Sequence, residues 1–247
     1  MNEKEILISH ALDKNRQSTD NSMITHTNFL SLDEISIVKT TDREYNEYTD
    51  TFYYGGYSDS ERQIAMFIPN TYEVYWNISP EKLLYRISRE YSRFWNEERT
   101  TKLKRCKLSK YEVMTLASIV YEETKIASEM RMIAGVYINR LRAKIALGAC
   151  PTIKYAMGDF ELKRILHKHL TYRSPFNTYT NRGLPPAPIC VPSIEAIDAV
   201  LNYAEHKYLY FCARPELDGR HNFARTLSEH NVNAQKYSAA LERLKIK

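Results

Sequence analysis

Two adjacent carboxylates, Glu122 and Glu123, close the stretch Leu116-Ala117-Ser118-Ile119-Val120-Tyr121-Glu122-Glu123-Thr124. Ser109 and Glu112 form a Ser-x-x-Glu capping box ahead of it, so a helix starts near Lys110 with Val113, Leu116, Ala117 and Val120 as its buried stripe. At 100° per residue, Glu123 falls on the rim of that stripe and Glu122 points almost directly away. The pattern predicts a solvated, ordinary Glu122 and a partly desolvated Glu123 that holds its proton tightly, as a general acid near neutral pH requires. The same position also suits a carboxylate held in a structural hydrogen bond at a helix end, and the spacing alone leaves both readings open.

The elements that must position this helix read from either side of it. Ser79-Pro80-Glu81 is an N-cap followed by proline, opening a helix with Leu84, Ile87, Tyr91 and Phe94 or Trp95 on one face and a charged end near Arg99. After the central helix, Ser128 with Glu129 opens another, with Ile133, Val136, Tyr137 and Leu141 at helical spacing. A loop follows from Gly148 to Gly158, and a second, proline-rich loop runs from Ser174 to Pro188. Ser193 starts a helix to about Tyr203. Tyr208 to Ala213 and His221 to Phe223 read as extended pieces around a turn at Asp218-Gly219. Thr226 and Glu229 cap a terminal helix in which Leu227, Val232 or Ala234 and Tyr237 face inward. The class is α+β: a mainly helical domain with a small antiparallel sheet and the candidate glutamate near the end of a helix.

Residues 1 to about 45 are polar and weakly periodic, Tyr53-Tyr54-Gly55-Gly56-Tyr57 carries turn chemistry, and Met66 to Trp76 reads as an extended aromatic segment. The apolar runs are too short to cross a bilayer and no signal pattern opens the sequence, so a soluble chain is expected. Cys106, Cys150, Cys190 and Cys212 are widely spaced, which indicates neither a disulfide framework nor a zinc site. His167 and His169 read as solvated surface residues. No metal or cofactor is called for. The net charge of +5 is uneven: residues 1 to 50 hold five basic and ten acidic side chains, so the rest of the chain is strongly basic. With 19 tyrosines, such a body suits an anionic polymer. No nucleic-acid reading motif accompanies it, so nucleic acid is not the expected partner.

Taken in order, these stretches resemble the endolytic murein transglycosylase family, MltG or YceG-like. The resemblance is carried by Leu116 to Val120 with Glu123-Thr124; Ala134-Gly135-Val136-Tyr137-Ile138-Asn139-Arg140-Leu141; Pro151-Thr152; Ser174-Pro175-Phe176-Asn177-Thr178-Tyr179; Gly183-Leu184-Pro185-Pro186; Tyr208 to Phe211; and His221-Asn222-Phe223 through Glu229-His230-Asn231. It implies an enzyme of bacterial envelope assembly, on the periplasmic side of the inner membrane, that cuts peptidoglycan glycan strands within their length, with cell-wall synthases as further candidate partners. It implies Glu123 as the catalytic acid, and Thr152, Tyr155, Asn177, Thr178, Tyr179, His221 and Asn222 as the residues that meet the sugars or lie beside them. Domain boundaries follow: residues 1–63 as a poorly ordered arm or the remnant of a LysM-like module, and 64–247 as the catalytic domain.

This chain departs from the family pattern in several places. Gly148-Ala149-Cys150-Pro151-Thr152 stands where relatives carry Gln-x-Asp-Pro-Thr, Tyr121 replaces the first Glu or Gln of the Glu-x-Glu stretch, and Ala187 replaces a glycine. A truncated or divergent member lacking the membrane anchor is expected. The loss of an amide and a carboxylate near the site motivates the alternative of a homologue that binds strands but is impaired in cutting them.

Overall fold

The computed structural model describes residues 4–6, 64–75, 77–162 and 165–243. The expectations for 1–63, the Tyr53 to Tyr57 turn among them, otherwise lie outside the described residues. Strand β1 (Lys4–Ile6) pairs antiparallel with β2 (Tyr72–Val74), after a 3-10 turn at Ile64–Met66.

Helix α1 (Pro80–Phe94) begins as expected, with Ser79 Oγ accepting from the Lys82 N–H and Pro80 in the first turn. It buries Ile87, Tyr91 and Phe94. It does not run on to Arg99. Asn96 accepts from the Arg99 N–H at 3.0 Å and starts a separate helix, α2 (Glu97–Cys106), whose first turn holds Glu97 and Glu98. An asparagine cap and two acids at the positive end of the helix favour a fresh start over continuation. Arg99 then grips Asp198 with two bonds of 2.9 Å.

The central helix, α3 (Lys110–Glu123), carries the full capping box: Glu112 N–H to Ser109 Oγ at 3.2 Å, and Ser109 N–H to Glu112 Oε2 at 2.7 Å. Its buried surface is wider than the stripe read from the sequence. Every residue from Val113 to Val120 is buried, because α3 is wrapped by its neighbours on all sides. Thr115 and Ser118 tolerate this by donating to the carbonyls of Tyr111 and Thr115, and Ser118 Oγ also accepts from the Ile189 N–H.

Helix α4 (Ala127–Arg142) is not opened by Ser128. Ile126 holds the N-cap position without a side-chain bond, and Glu129, which the sequence suggested as part of the start, is turned instead to His221. A Cβ on Gly135 would press on the Ala204 carbonyl oxygen and lie 2.6 Å from His206 Nε2, so only glycine lets α4 come this close to the 204–206 segment. Asn139 Nδ2 ties the same two strips together by donating to the carbonyls of His206 and Tyr208.

The expected loop from Gly148 to Gly158 is mostly helix α5 (Cys150–Met157), entered through Pro151 in its first turn and stopped at Gly158 with φ 66°. Proline near a helix start and glycine just past its end serve a short helix as well as a loop, so the same two residues fit both. A four-residue turn of helix, α6 (His167–Leu170), follows. His167 is exposed, but His169 is buried and accepts the Leu166 N–H on Nδ1, which corrects its reading as a surface residue. Helix α7 (Ile194–Leu201), capped by Ser193, packs on α3 and α4.

Strands β3 (Tyr210–Ala213) and β4 (His221–Ala224) form an antiparallel hairpin in the register Phe211 to Phe223 and Ala213 to His221. Helix α8 (Leu227–Arg243) covers it. The Thr226 and Glu229 cap is present, but Leu227 and Val232 are 55% and 49% exposed, so the inward face is set by Ala240 with Ala234 and Tyr237 partly covered. The architecture is α+β, helices around α3 with small antiparallel sheets. Among the described residues no helix is long and apolar enough to cross a membrane.

Candidate active site

Glu123 is the last residue of α3, where the sealed part of the helix gives way to the exposed Lys125. Its Oε1 accepts a 2.6 Å hydrogen bond from the Tyr137 hydroxyl. Tyr137 comes from the third turn of α4, is 1% exposed, and stands edge-on to Phe211 of β3 with ring centroids 5.7 Å apart. A buried tyrosine must find a partner for its O–H, and the carboxyl at the end of α3 is that partner.

Burial drives the Glu123 pKa from 4.5 up to about 7, and the Glu122 charge adds to the rise. The negative end of the α3 dipole acts in the same sense. The Tyr137 hydrogen bond and the Lys154 ammonium of α5 oppose it. A carboxyl poised this way exists in both protonation states near neutral pH, which is what a group that first gives and then takes a proton needs. Glu122 departs from expectation: its side chain is only 16% exposed, with Lys125 Nζ at 3.5 Å.

Cys150, at the start of α5, has its Sγ 3.1 Å from the Tyr179 hydroxyl. Burial and the nearby Glu123 charge push the Cys150 thiol up, and burial with the Cys150 and Glu123 charges raises Tyr179 far above its usual range, so both are neutral donors or acceptors at pH 7. Tyr179 is thus the residue of the proline-rich loop that the structure brings to Glu123.

The other residues read from the sequence divide. Thr152 and Thr178 are 0% and 1% exposed, with their hydroxyls 2.9 Å apart; Thr152 also donates to the Ala149 carbonyl and Thr178 accepts the Ala149 N–H. Asn177 is fully buried, donating to the Leu170 and Tyr172 carbonyls and accepting the Tyr179 N–H at 2.9 Å. These three side chains are committed to protein partners, so they do not face a sugar; they hold Tyr179 and α5 in place. Tyr155 is half-buried against Phe176 with ring centroids 4.7 Å apart. His221 Nδ1 lies 2.7 Å from Glu129 Oε2 and its ring is edge-on to Phe211, so it braces the hairpin that supports Tyr137. Asn222 sits across from Cys212, and strand alternation puts its side chain on the face opposite His221 and Phe223.

Tyr137 and Lys154 were missed as site residues. In the sequence Tyr137 reads as part of the apolar stripe of α4, and the signal that marks it out is the need of a buried phenol for an acceptor. Lys154 became visible only once 150–157 proved helical.

A model of the YceG-like family matches residues 4–236. The chain is 38% identical over 137 residues to an endolytic murein transglycosylase of Bacillus subtilis (strain 168), covering 56% of this chain and 37% of that protein. It is 32% identical over 130 residues to an endolytic murein transglycosylase of Streptococcus pneumoniae (serotype 2, strain D39), covering 51% of this chain and 23% of that one. The match therefore spans well under two thirds of either relative's length. The crystal structure of yceG-like protein lmo1499 from Listeria monocytogenes superposes with a TM-score of 0.60 at 31% identity, over 68% of this chain and 54% of that chain.

Proposed function

This chain belongs to the YceG-like family, and from that membership we propose that it is an endolytic peptidoglycan lytic transglycosylase working at the cell envelope, on the periplasmic face of the inner membrane. Glu123 is its catalytic residue. The protonated carboxyl gives its proton to the oxygen joining C1 of N-acetylmuramic acid to C4 of N-acetylglucosamine. The C1–O bond breaks with oxocarbenium character, and the N-acetylglucosamine leaves with a free 4-hydroxyl. The Glu123 carboxylate then takes the proton of the muramoyl C6 hydroxyl, whose oxygen closes on C1. The products are a 1,6-anhydro-muramoyl end and a restored carboxylic acid, and no water is consumed.

Ordinary glycosidases set two carboxylates across the bond, one as acid and one as base or nucleophile. Here one group does both tasks in turn. The observation that supports this reading is the half-buried Glu123 carboxyl at the end of α3, held by Tyr137 and with its pKa at about 7. Tyr137 engages Oε1, which leaves Oε2 to carry the mobile proton. Tyr155 and Tyr179 offer ring faces to the sugars. Residues 64–247 would form the catalytic unit.

The test is digestion of purified glycan strands followed by mass spectrometry. The unaltered protein yields anhydro-muramoyl ends from internal cuts, and Glu123→Gln yields none. Binding without any cut by the unaltered protein would reject catalysis and favour the strand-binding homologue suggested by Gly148 and Cys150.

A further inference from the structure

Helix α4 carries Arg131, Arg140 and Arg142, and they behave differently. Arg131 Nε donates to the Asn202 carbonyl at 2.8 Å, and Arg142 donates to the Tyr203 hydroxyl at 2.9 Å. Arg140 has no hydrogen bond or ion pair to any described residue. Its guanidinium lies over the Tyr210 ring, 5.2 Å from the centroid, and its Nε is enclosed without a partner. Next to it, the His230 ring stacks on Tyr210 at 5.5 Å, and His230 Nδ1 is likewise enclosed and unpaired. A buried donor left without an acceptor is destabilising. Arg140 Nε is such a donor, and the neutral His230 ring supplies a second in its Nδ1–H tautomer, so the two groups around Tyr210 make a place suited to an anion or strong acceptor.

Its location ties it to the chemistry. Arg140 follows Tyr137 by three residues, so it lies on the same face of α4 about one turn, roughly 5 Å, along the helix. The Arg140 charge is also felt by Tyr179, which in turn feels Glu123. His230 is held below its usual pKa by burial and by Arg140, so its ring is neutral at pH 7 and leaves the positive charge to the arginine.

We propose that Arg140 and His230, grouped around Tyr210, form a carboxylate-binding subsite one turn along α4 from Tyr137, the partner of Glu123. This rests on the transglycosylase reading and specifies its substrate. Two kinds of carboxylate occur on glycan strands: the lactyl carboxylate of muramoyl residues stripped of their peptide, and the carboxylates of an attached stem peptide. The lactyl group is favoured, because it branches from C3 of the same sugar whose C1 Glu123 serves, whereas the stem-peptide carboxylates lie farther out along the peptide. An arginine fork accepts such a planar anion through paired N–H donors, and lysine cannot reproduce that geometry.

The experiment measures KM and kcat separately on three substrates: peptide-free strands, the same strands with lactyl carboxylates converted to methylamides, and peptide-bearing strands. The unaltered protein is expected to show KM at least about tenfold lower for free lactyl carboxylates than for methylamides, with kcat little changed. Arg140→Met removes that preference, and Arg140→Lys retains part of it. A preference found only for peptide-bearing strands, and lost in Arg140→Met, would support the subsite with the peptide as the carboxylate source. No discrimination by the unaltered protein, or discrimination that survives Arg140→Met, overturns the proposal. Should Arg140→Met fail to fold, the unaltered protein and Arg140→Lys decide it: a full preference in both overturns the subsite. Cleavage by the unaltered protein without discrimination would sink the subsite and leave the transglycosylase reading intact.

Discussion

Replacing Tyr137 by phenylalanine removes one oxygen and the 2.6 Å hydrogen bond it donates to Glu123, while the ring can keep its edge-on contact with Phe211. A hydrogen bond to a charged group is worth about 1.5–3 kcal/mol. It favours the ionised carboxylate over the acid, and 1.36 kcal/mol corresponds to one pH unit, so deleting it raises the Glu123 pKa by roughly one to two pH units. The starting value is about 7. The assay is the initial rate of anhydro-muramoyl end formation as a function of pH. On the alkaline side, kcat/KM falls as the free enzyme loses the proton of its acid, so that limb reports Glu123. In Tyr137→Phe the limb moves to higher pH by one to two units, and the rate on the plateau drops because a weaker acid drives the first step less well. Thermal melting checks that the variant is folded. A limb that stays in place, or moves to lower pH, in a folded variant would refute the assignment of Tyr137 as the residue that trims the Glu123 acidity.

Glu123 also links stability to pH. Its folded pKa of about 7 lies above the ordinary 4.5, so between these values the folded state binds more protons than the unfolded one. Its contribution is therefore complete below pH 4.5 and is lost as pH rises through 7, a change of roughly 3 kcal/mol. In urea unfolding, Glu123→Gln should gain on the unaltered protein steadily across that window; a difference that is flat with pH would contradict the burial argument. Asn177→Ala deletes the three bonds that hold the Tyr172 to Tyr179 loop and should cost about 2–4 kcal/mol in the same assay while lowering kcat/KM, since Tyr179 loses its backbone anchor. An unchanged midpoint would show that the proline-rich loop is held by other means.

Much of the framework was legible because it is written locally. Ser109 with Glu112, Ser79 with Pro80, and Thr226 with Glu229 mark helix starts by chemistry confined to four residues, and all three are in place. What depends on distant residues was not legible. Asn96 looked like the interior of a continuing helix, although it is the cap of the next one. The α3 stripe was drawn too narrow because periodicity registers an exposed face only when polar residues mark it, and Thr115 and Ser118 are polar yet sealed. Thr152, Thr178 and Asn177 carry the groups that bind sugars and the groups that hold loops, and sequence cannot tell which use is made of them. Their complete burial decides for the second. Glu123 itself was found from helical phase, but its partner lies 14 residues on, in another helix.

The position of Glu123 along α3 suits the double role proposed for its carboxyl. In the sealed run from Val113 to Val120, desolvation would be unopposed and the acid would hold its proton too firmly to return as a base. Past Thr124 the chain is exposed at Lys125, where a carboxyl would ionise near pH 4 and give no proton at neutrality. Only the last turn offers partial desolvation together with groups that act against it. Both opposing groups come from helices packed around the end of α3, Tyr137 from α4 and Lys154 from α5, so the acidity of the carboxyl is a property of how these three helices meet. Helix α5 is bounded by Pro151 in its first turn and Gly158 just past its end, and Cys150 at its start faces Tyr179 instead of adding a second negative charge. An aspartate there would raise the Glu123 pKa further by like-charge repulsion, whereas the thiol, itself pushed up and neutral, leaves the balance to burial on one side and to Tyr137 and Lys154 on the other.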